Sequence, residues 1–102
     1  MVEVNWTENA INDLNDIGDY IAKDSIKYSE ITVEKLFNST DILETNPLAG
    51  KVVIEFEDED LRELIRGNYR IVYYLVNDFL IDILTVQHCS MLLSSSSAFN
   101  KK

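Results

Sequence analysis

The sequence predicts an α+β domain of order β-α-α-β-β-β(-β), with a helical hairpin packed on one face of a twisted, mainly antiparallel sheet. Three observations lead there. Residues 61 to 88 read as a three-stranded meander rich in Val, Ile, Leu and Tyr, residues that fit a pleated, half-buried surface. Two amphipathic stripes with a short link between them precede it, which predicts an antiparallel αα-hairpin. An alternating stretch, VEVNW, opens the chain and places Val2, Val4 and Trp6 on one strand face.

The elements follow in order. Thr7 is a good N-cap, and Glu8 suits the positive end of the helix dipole. Ala10, Ile11, Leu14, Ile17, Gly18 and Ile21 then recur at helical spacing. Glycine inside that stripe costs about 1 kcal/mol relative to alanine, so its place there predicts a close approach by the second helix. Asp24 or Ser25 caps that helix. Its stripe is Ser29, Val33, Leu36, Phe37, Thr40 and Leu43, and Asn46-Pro47 ends it, because the residue before proline is pushed out of the helical region. PLAG (47–50) forms a turn, Lys51 to Phe56 a strand, and the acidic run 57–60 a solvated loop. Gly67-Asn68 and Asn77-Asp78 mark the two hairpin turns of the meander. With the first strand separated from the rest by the hairpin, it joins the sheet parallel to a neighbour.

At 102 residues the chain is expected to be one domain over residues 1–88. Residues 89–102, with four consecutive serines, read as a frayed, partly disordered tail in which Ser90 to Leu93 can form a short turn. No apolar run is long enough for a membrane span, and MVEVNWTENA has no secretory pattern. One cysteine, Cys89, fits a reducing cytoplasm, and no Cys/His cluster points to a metal or a cofactor. The net charge of -9 opposes nucleic-acid binding, which draws affinity from phosphate neutralisation.

The candidate functional residues lie on or beside the meander. Arg62, Arg66 and Arg70 are the chain's three arginines and fall within nine residues. A two-residue loop at Gly67-Asn68 pairs Arg66 with Tyr69 and turns Arg70 away from Arg62 and Arg66; a three-residue loop gathers all three. Arg70 can hold a phosphate bidentately or pair with acidic neighbours. His88, at the end of the last strand, can move a proton or serve as a strand-end hydrogen-bonding group. Tyr69, Tyr73 and Tyr74 can stack on bases or pack in the core. Lys51 is the other basic residue near the sheet.

The words Trp6-Thr7-Glu8-Asn9-Ala10, Asn46-Pro47-Leu48-Ala49-Gly50, Leu61-Arg62-Glu63-Leu64, Gly67 to Tyr74 and Ile83 to His88, in this order, resemble the RelE/ParE superfamily of type II toxins, also called plasmid-stabilisation proteins. The resemblance covers about residues 2 to 88, and the uninterrupted helical hairpin is closer to ParE-like members. It implies a small toxin neutralised by a co-encoded antitoxin, with an oligomer formed through the antitoxin or as a homodimer. It implies one of two targets. ParE-like members inhibit DNA gyrase by binding; RelE-like members cut mRNA on the ribosome with basic and aromatic residues of the sheet. By resemblance Arg70 takes the phosphate-binding place and His88 a catalytic one, with Arg62, Arg66, Tyr69, Tyr73 and Lys51 as binding residues. Gln87 and Cys89-Ser90 stand where basic residues are common in the family. The first expectation is therefore a binding toxin. A ribosome-dependent endonuclease and a non-toxic antitoxin-binding domain are the alternatives.

Overall fold

A computed structural model describes residues 1–96, Ala98 and Phe99. Five strands form one sheet in the order β1-β5-β4-β3-β2. They are β1 (Glu3–Trp6), β2 (Lys51–Val52), β3 (Leu61–Arg66), β4 (Tyr69–Asn77) and β5 (Leu80–His88). β1 runs parallel to β5 and every other pairing is antiparallel. The helices α1 (Glu8–Ala22) and α2 (Ile26–Asn38) lie between β1 and β2 in sequence and cover one face of the sheet.

The caps form as the residue types demand. The Thr7 hydroxyl accepts from the Ala10 N–H at 3.2 Å, and Ser25 accepts from the Tyr28 N–H at 3.0 Å. Between the helices, a Cβ on Gly18 would stand 2.9 Å from Val33 Cγ2, so glycine is what lets them close. The core on this face joins Ala10, Leu14, Leu36 and Leu43 to Leu64, Ile71, Tyr73, Ile81, Ile83 and Val86. Val2, Val4, Trp6, Ile17 and Val33 pack on its rim, while Phe37 is largely exposed and leans on Trp6, ring centroids 5.1 Å apart.

Four boundaries differ from the sequence expectation. The second helix leaves α geometry at Asn38 and continues as a 3₁₀ turn over Ser39–Glu44. There the Ser39 and Thr40 hydroxyls bond the Leu36 and Phe37 carbonyls, which competes with the helical ladder. The strand expected over residues 51–56 keeps only Lys51 and Val52, because the chain then turns to bury Val53 and bring Glu55 to Arg70. The second hairpin loop is Asp78-Phe79, one residue later than expected, since Asn77 pairs with Leu80. The Asn77 side chain accepts from the Phe79 N–H at 2.8 Å, so its turn chemistry is exerted through its amide and not through a positive φ. Finally, part of the segment expected to fray is docked. Leu93 is fully buried in a small second core with Val53, Leu61 and Val72 on the sheet face away from the helices, and Phe99 stacks on Phe56. Ser97 and residues 100–102 of that expected tail lie outside the described residues. No helix among the described residues is long and apolar enough to cross a membrane.

Candidate functional site

Register decides which candidates can act together. The Gly67-Asn68 loop has two residues, so Arg66 pairs with Tyr69 and Ile65 with Arg70. Gly67 carries the positive φ of 60° that a tight loop of this kind demands. On the other side of β4, Tyr69 pairs with His88 and Arg70 with Gln87. Cross-strand partners share a face. Arg66, Tyr69 and His88 therefore form one row across three strands, on the helix-bearing face at the hairpin end of the sheet. The Tyr69 and His88 rings meet edge to face at 5.9 Å. His88 is exposed; its Nδ1 accepts from the Ser90 N–H at 3.1 Å and lies 2.8 Å from Ser90 Oγ.

Arg70 is on the opposite face and is buried. Its Nε donates to Glu63 Oε1 at 2.7 Å, and its two terminal nitrogens donate to the two carboxylate oxygens of Glu55 at 2.8 Å each. This fork-to-fork pairing is the strongest arrangement an arginine makes with a carboxylate. It holds Glu55 well below the usual carboxylate range, at about 2, mainly through the hydrogen bonds from Arg70. The same bonds raise Arg70 above its ordinary value. Leu93 N–H adds a longer bond to Glu55, so the docked C-terminal segment closes over the pair.

Tyr73 and Arg62 are held by hydrogen bonds within the fold, and Lys51 is exposed. Tyr73 is fully buried; its hydroxyl accepts from the Gly50 N–H at 2.9 Å and donates to the Pro47 carbonyl at 2.8 Å. Burial raises its pKa. It pins the PLAG turn from within the core, which is the packing alternative of the sequence reading. Arg62 donates to the Glu59 and Gly50 carbonyls, each at 3.0 Å. Lys51 is exposed on the short edge strand, opposite Glu63 and so on the Arg70 face.

Two open grooves border the Arg66–Tyr69–His88 row. One, of about 810 Å³, runs between α2 and the Gly67-Asn68 turn and is lined by Tyr28, Ile31, Leu36, Lys35, Arg66 and Tyr69 among others. The other, of about 640 Å³, runs between α1 and β5. β1 pairs with β5 only as far as Ile83, and beyond it the β5 edge is met by α1 side chains instead. Asp13 Oδ2 accepts from the Val86 N–H at 3.1 Å and from the Thr85 hydroxyl. Sequence reasoning missed Asp13 and left the acidic partners of Arg70 unnamed. No local signal marks either role, because each is set by contacts across the fold. Among the described residues, no group of acidic, His and Cys side chains is arranged to hold a metal.

The family described as the ParE toxin of the type II toxin–antitoxin system parDE matches residues 4–93. The fold is similar to a chain from the chromosomal ParDE system of P. aeruginosa, with a TM-score of 0.69, 22% identity, and 86% of this chain and 96% of that one covered. It is also similar to a chain of the RelBE2 toxin–antitoxin complex from Mycobacterium tuberculosis, with a TM-score of 0.56, 28% identity, and 86% and 93% covered. No curated protein matches the sequence. With the sheet order, the helical hairpin and residues 4–93 all in agreement, the chain belongs to the ParE toxin family of type II toxin–antitoxin systems.

Proposed function

We propose that the chain is a toxin that acts by binding its target, with DNA gyrase as the target, and that a co-encoded antitoxin neutralises it. The observation that carries this reading is the state of Arg70. A guanidinium that already holds two carboxylates has no free fork for a phosphate, and His88 is on the other face of the sheet. The net charge of -9 further opposes capture of a polyanionic message. Contact with the target falls to the row of Arg66, Tyr69 and His88, which is exposed at Arg66 and His88 and half-buried at Tyr69. The antitoxin contributes an apolar segment to the groove between α2 and the hairpin turn, where Tyr28 and Ile31 stand exposed.

The second reading is a ribosome-dependent endonuclease. What favours it is the same row, since a guanidinium, a phenol and an imidazole stand side by side. Induced expression of wild type, Arg66→Ala and His88→Ala separates the two, with growth, message integrity and plasmid supercoiling read together. We expect growth arrest with altered supercoiling, intact messages and little effect of His88→Ala. Message cleavage at ribosomal A sites that disappears in His88→Ala would replace this proposal with the second. A well-folded wild type with no effect on growth would leave an antitoxin-binding domain.

A further inference from the structure

At the outer edge of β5, side chains join the two faces of the sheet. Thr85 is buried and shares a face with its cross-strand partner Val72, the face on which Leu93 is docked. Its hydroxyl bonds Asp13 of α1, which comes from the helix-bearing face. Ser96 of the C-terminal segment is also buried. Its hydroxyl lies 3.1 Å from Thr85 Oγ1, and the Ala98 N–H bonds Ser96 Oγ at 3.2 Å. The direction of this chain is fixed at both ends, since a backbone N–H only donates and a carboxylate only accepts. Thr85 therefore directs its one hydrogen to Asp13 and accepts from Ser96. Bonds ordered in this way polarise one another, so the loss of one weakens the next.

The rest of the segment is held lightly. Leu93 is its buried apolar anchor, and Phe99 stacks on Phe56. Met91 and Leu92 are exposed. The bonds to the clamp on Arg70 are long, with the Leu93 N–H 3.4 Å from Glu55 and the Met91 carbonyl 3.4 Å from Arg70. A segment with few buried contacts opens more readily than the core beneath it.

We infer that the Asp13–Thr85–Ser96 chain is a latch, through which Asp13 on the helix side holds the C-terminal segment closed on the opposite face. Asp13 is a positioning residue here. It orients the Thr85 hydroxyl, and Thr85 in turn receives Ser96. Opening of the segment uncovers Val53, Leu61 and Val72 and takes the Leu93 N–H away from Glu55. Asp13 and Ser96 both line the groove between α1 and β5, which places the latch at a surface. The helix side of the molecule thus sets how often the other sheet face is bared. The device does not depend on which target the toxin acts on.

The test is native-state amide exchange of the full chain. In the wild type the Leu93 N–H should exchange faster than those of Leu64 and Ile71, which marks an opening short of unfolding. Asp13→Ala should speed exchange at Leu93 about fivefold, the effect of one net hydrogen bond. The bonds of Asp13 to Asn9 and Val86 are the same in the open and closed forms, so their loss does not enter that rate. Ser96→Ala should speed Leu93 by at least as much. In the Ser96→Ala background, Asp13→Ala should add less than twofold, because both changes break one chain. Thr85→Val cuts the chain at its middle and should serve in place of Ser96→Ala if that variant does not fold. Leu93 exchange no faster than that of Leu64, unchanged exchange in Asp13→Ala, or an Asp13→Ala effect that persists undiminished in the Ser96→Ala background would each overturn the latch.

Discussion

Arg70 and His88 occupy opposite faces of the sheet although they lie on neighbouring, paired strands, because His88 has Tyr69 as its cross-strand partner and Arg70 has Gln87. The two residues that a nuclease would combine are thus divided by the thickness of a strand. What Arg70 does instead is hold two glutamates, Glu63 from β3 and Glu55 from the loop after β2. It ties the edge of the sheet to its centre.

Removing Arg70 should therefore appear first as lost stability. Breaking a buried pair by deleting one partner strands the other charge and costs about 3–5 kcal/mol. Arg70→Ala should melt at markedly lower denaturant, with Glu63 left buried and unpaired. Arg70→Met combined with Glu63→Met should recover much of the loss, since no uncompensated charge then remains inside. An Arg70→Ala protein as stable as wild type would show that the network contributes nothing.

The acid limb of stability should carry the signature of Glu55. Its folded pKa of about 2 is below the ordinary 4.5, so the folded state binds its proton more weakly than the unfolded chain. The sign follows: the stabilisation is complete above about 4.5 and is lost as pH falls towards about 2. Glu55→Gln should flatten the pH dependence of unfolding within that window and leave it unchanged near neutrality. Urea melts from neutral pH down to about 2 measure this, and identical slopes for variant and wild type would remove Glu55 from the account.

How far these features were legible depends on whether their cause is local. The caps at Thr7 and Ser25, the glycine between the helices and the parallel first strand all follow from local spacing and residue type. The Gly67-Asn68 hairpin was legible in place but not in register, because two- and three-residue loops suit the same dipeptide. Register alone decided that Arg66 joins Tyr69 and His88 while Arg70 departs. The partners of Arg70 and of the β5 edge were not legible, since Glu55 and Asp13 meet their neighbours only across the folded sheet. The docking of Leu93 was masked by the serines around it, whose composition outweighs one apolar residue in any window average.

The turn that carries Gly50 should be intolerant of small changes. A Cβ there would stand 2.5 Å from the Glu63 carbonyl and 2.8 Å from the Tyr73 ring, and both are fixed in the core. Gly50→Ala should unfold the turn or the protein. Tyr73→Phe is gentler: it leaves the Gly50 N–H and the Pro47 carbonyl without their partner, at a cost of about 1–3 kcal/mol. Thermal melts with amide exchange at Gly50 test both. Wild-type melting of Gly50→Ala would mean that the turn relaxes freely.

The segment after β5 should behave as part of the fold. Leu93 is fully buried against Val53, Leu61 and Val72, so Leu93→Ala should cost about 2–5 kcal/mol, as for other buried leucines. The same change should speed exchange at the Leu93 N–H, which bonds Glu55. A loss below about 0.5 kcal/mol, the range of ordinary surface changes, would show that the segment is undocked in solution.

Antitoxin binding tests the groove between α2 and the hairpin turn. Its exposed apolar side chains, Tyr28 and Ile31, are 61% and 44% exposed, so substituting them perturbs the surface and not the core. Buried anchors of this kind carry most of the energy of an interface, while rim charges contribute little. Charges separated by more than about 8–10 Å are screened at moderate salt, so an interface held by apolar anchors should lose little affinity there. Ile31→Asp should therefore weaken the complex with the co-encoded antitoxin at least tenfold. Lys35→Ala, in the same groove, should weaken it less than threefold. Raising the salt from low to moderate should also change affinity less than threefold. A tenfold fall with salt, or an Ile31→Asp protein that binds as wild type, would move the antitoxin to the charged surface and away from this groove.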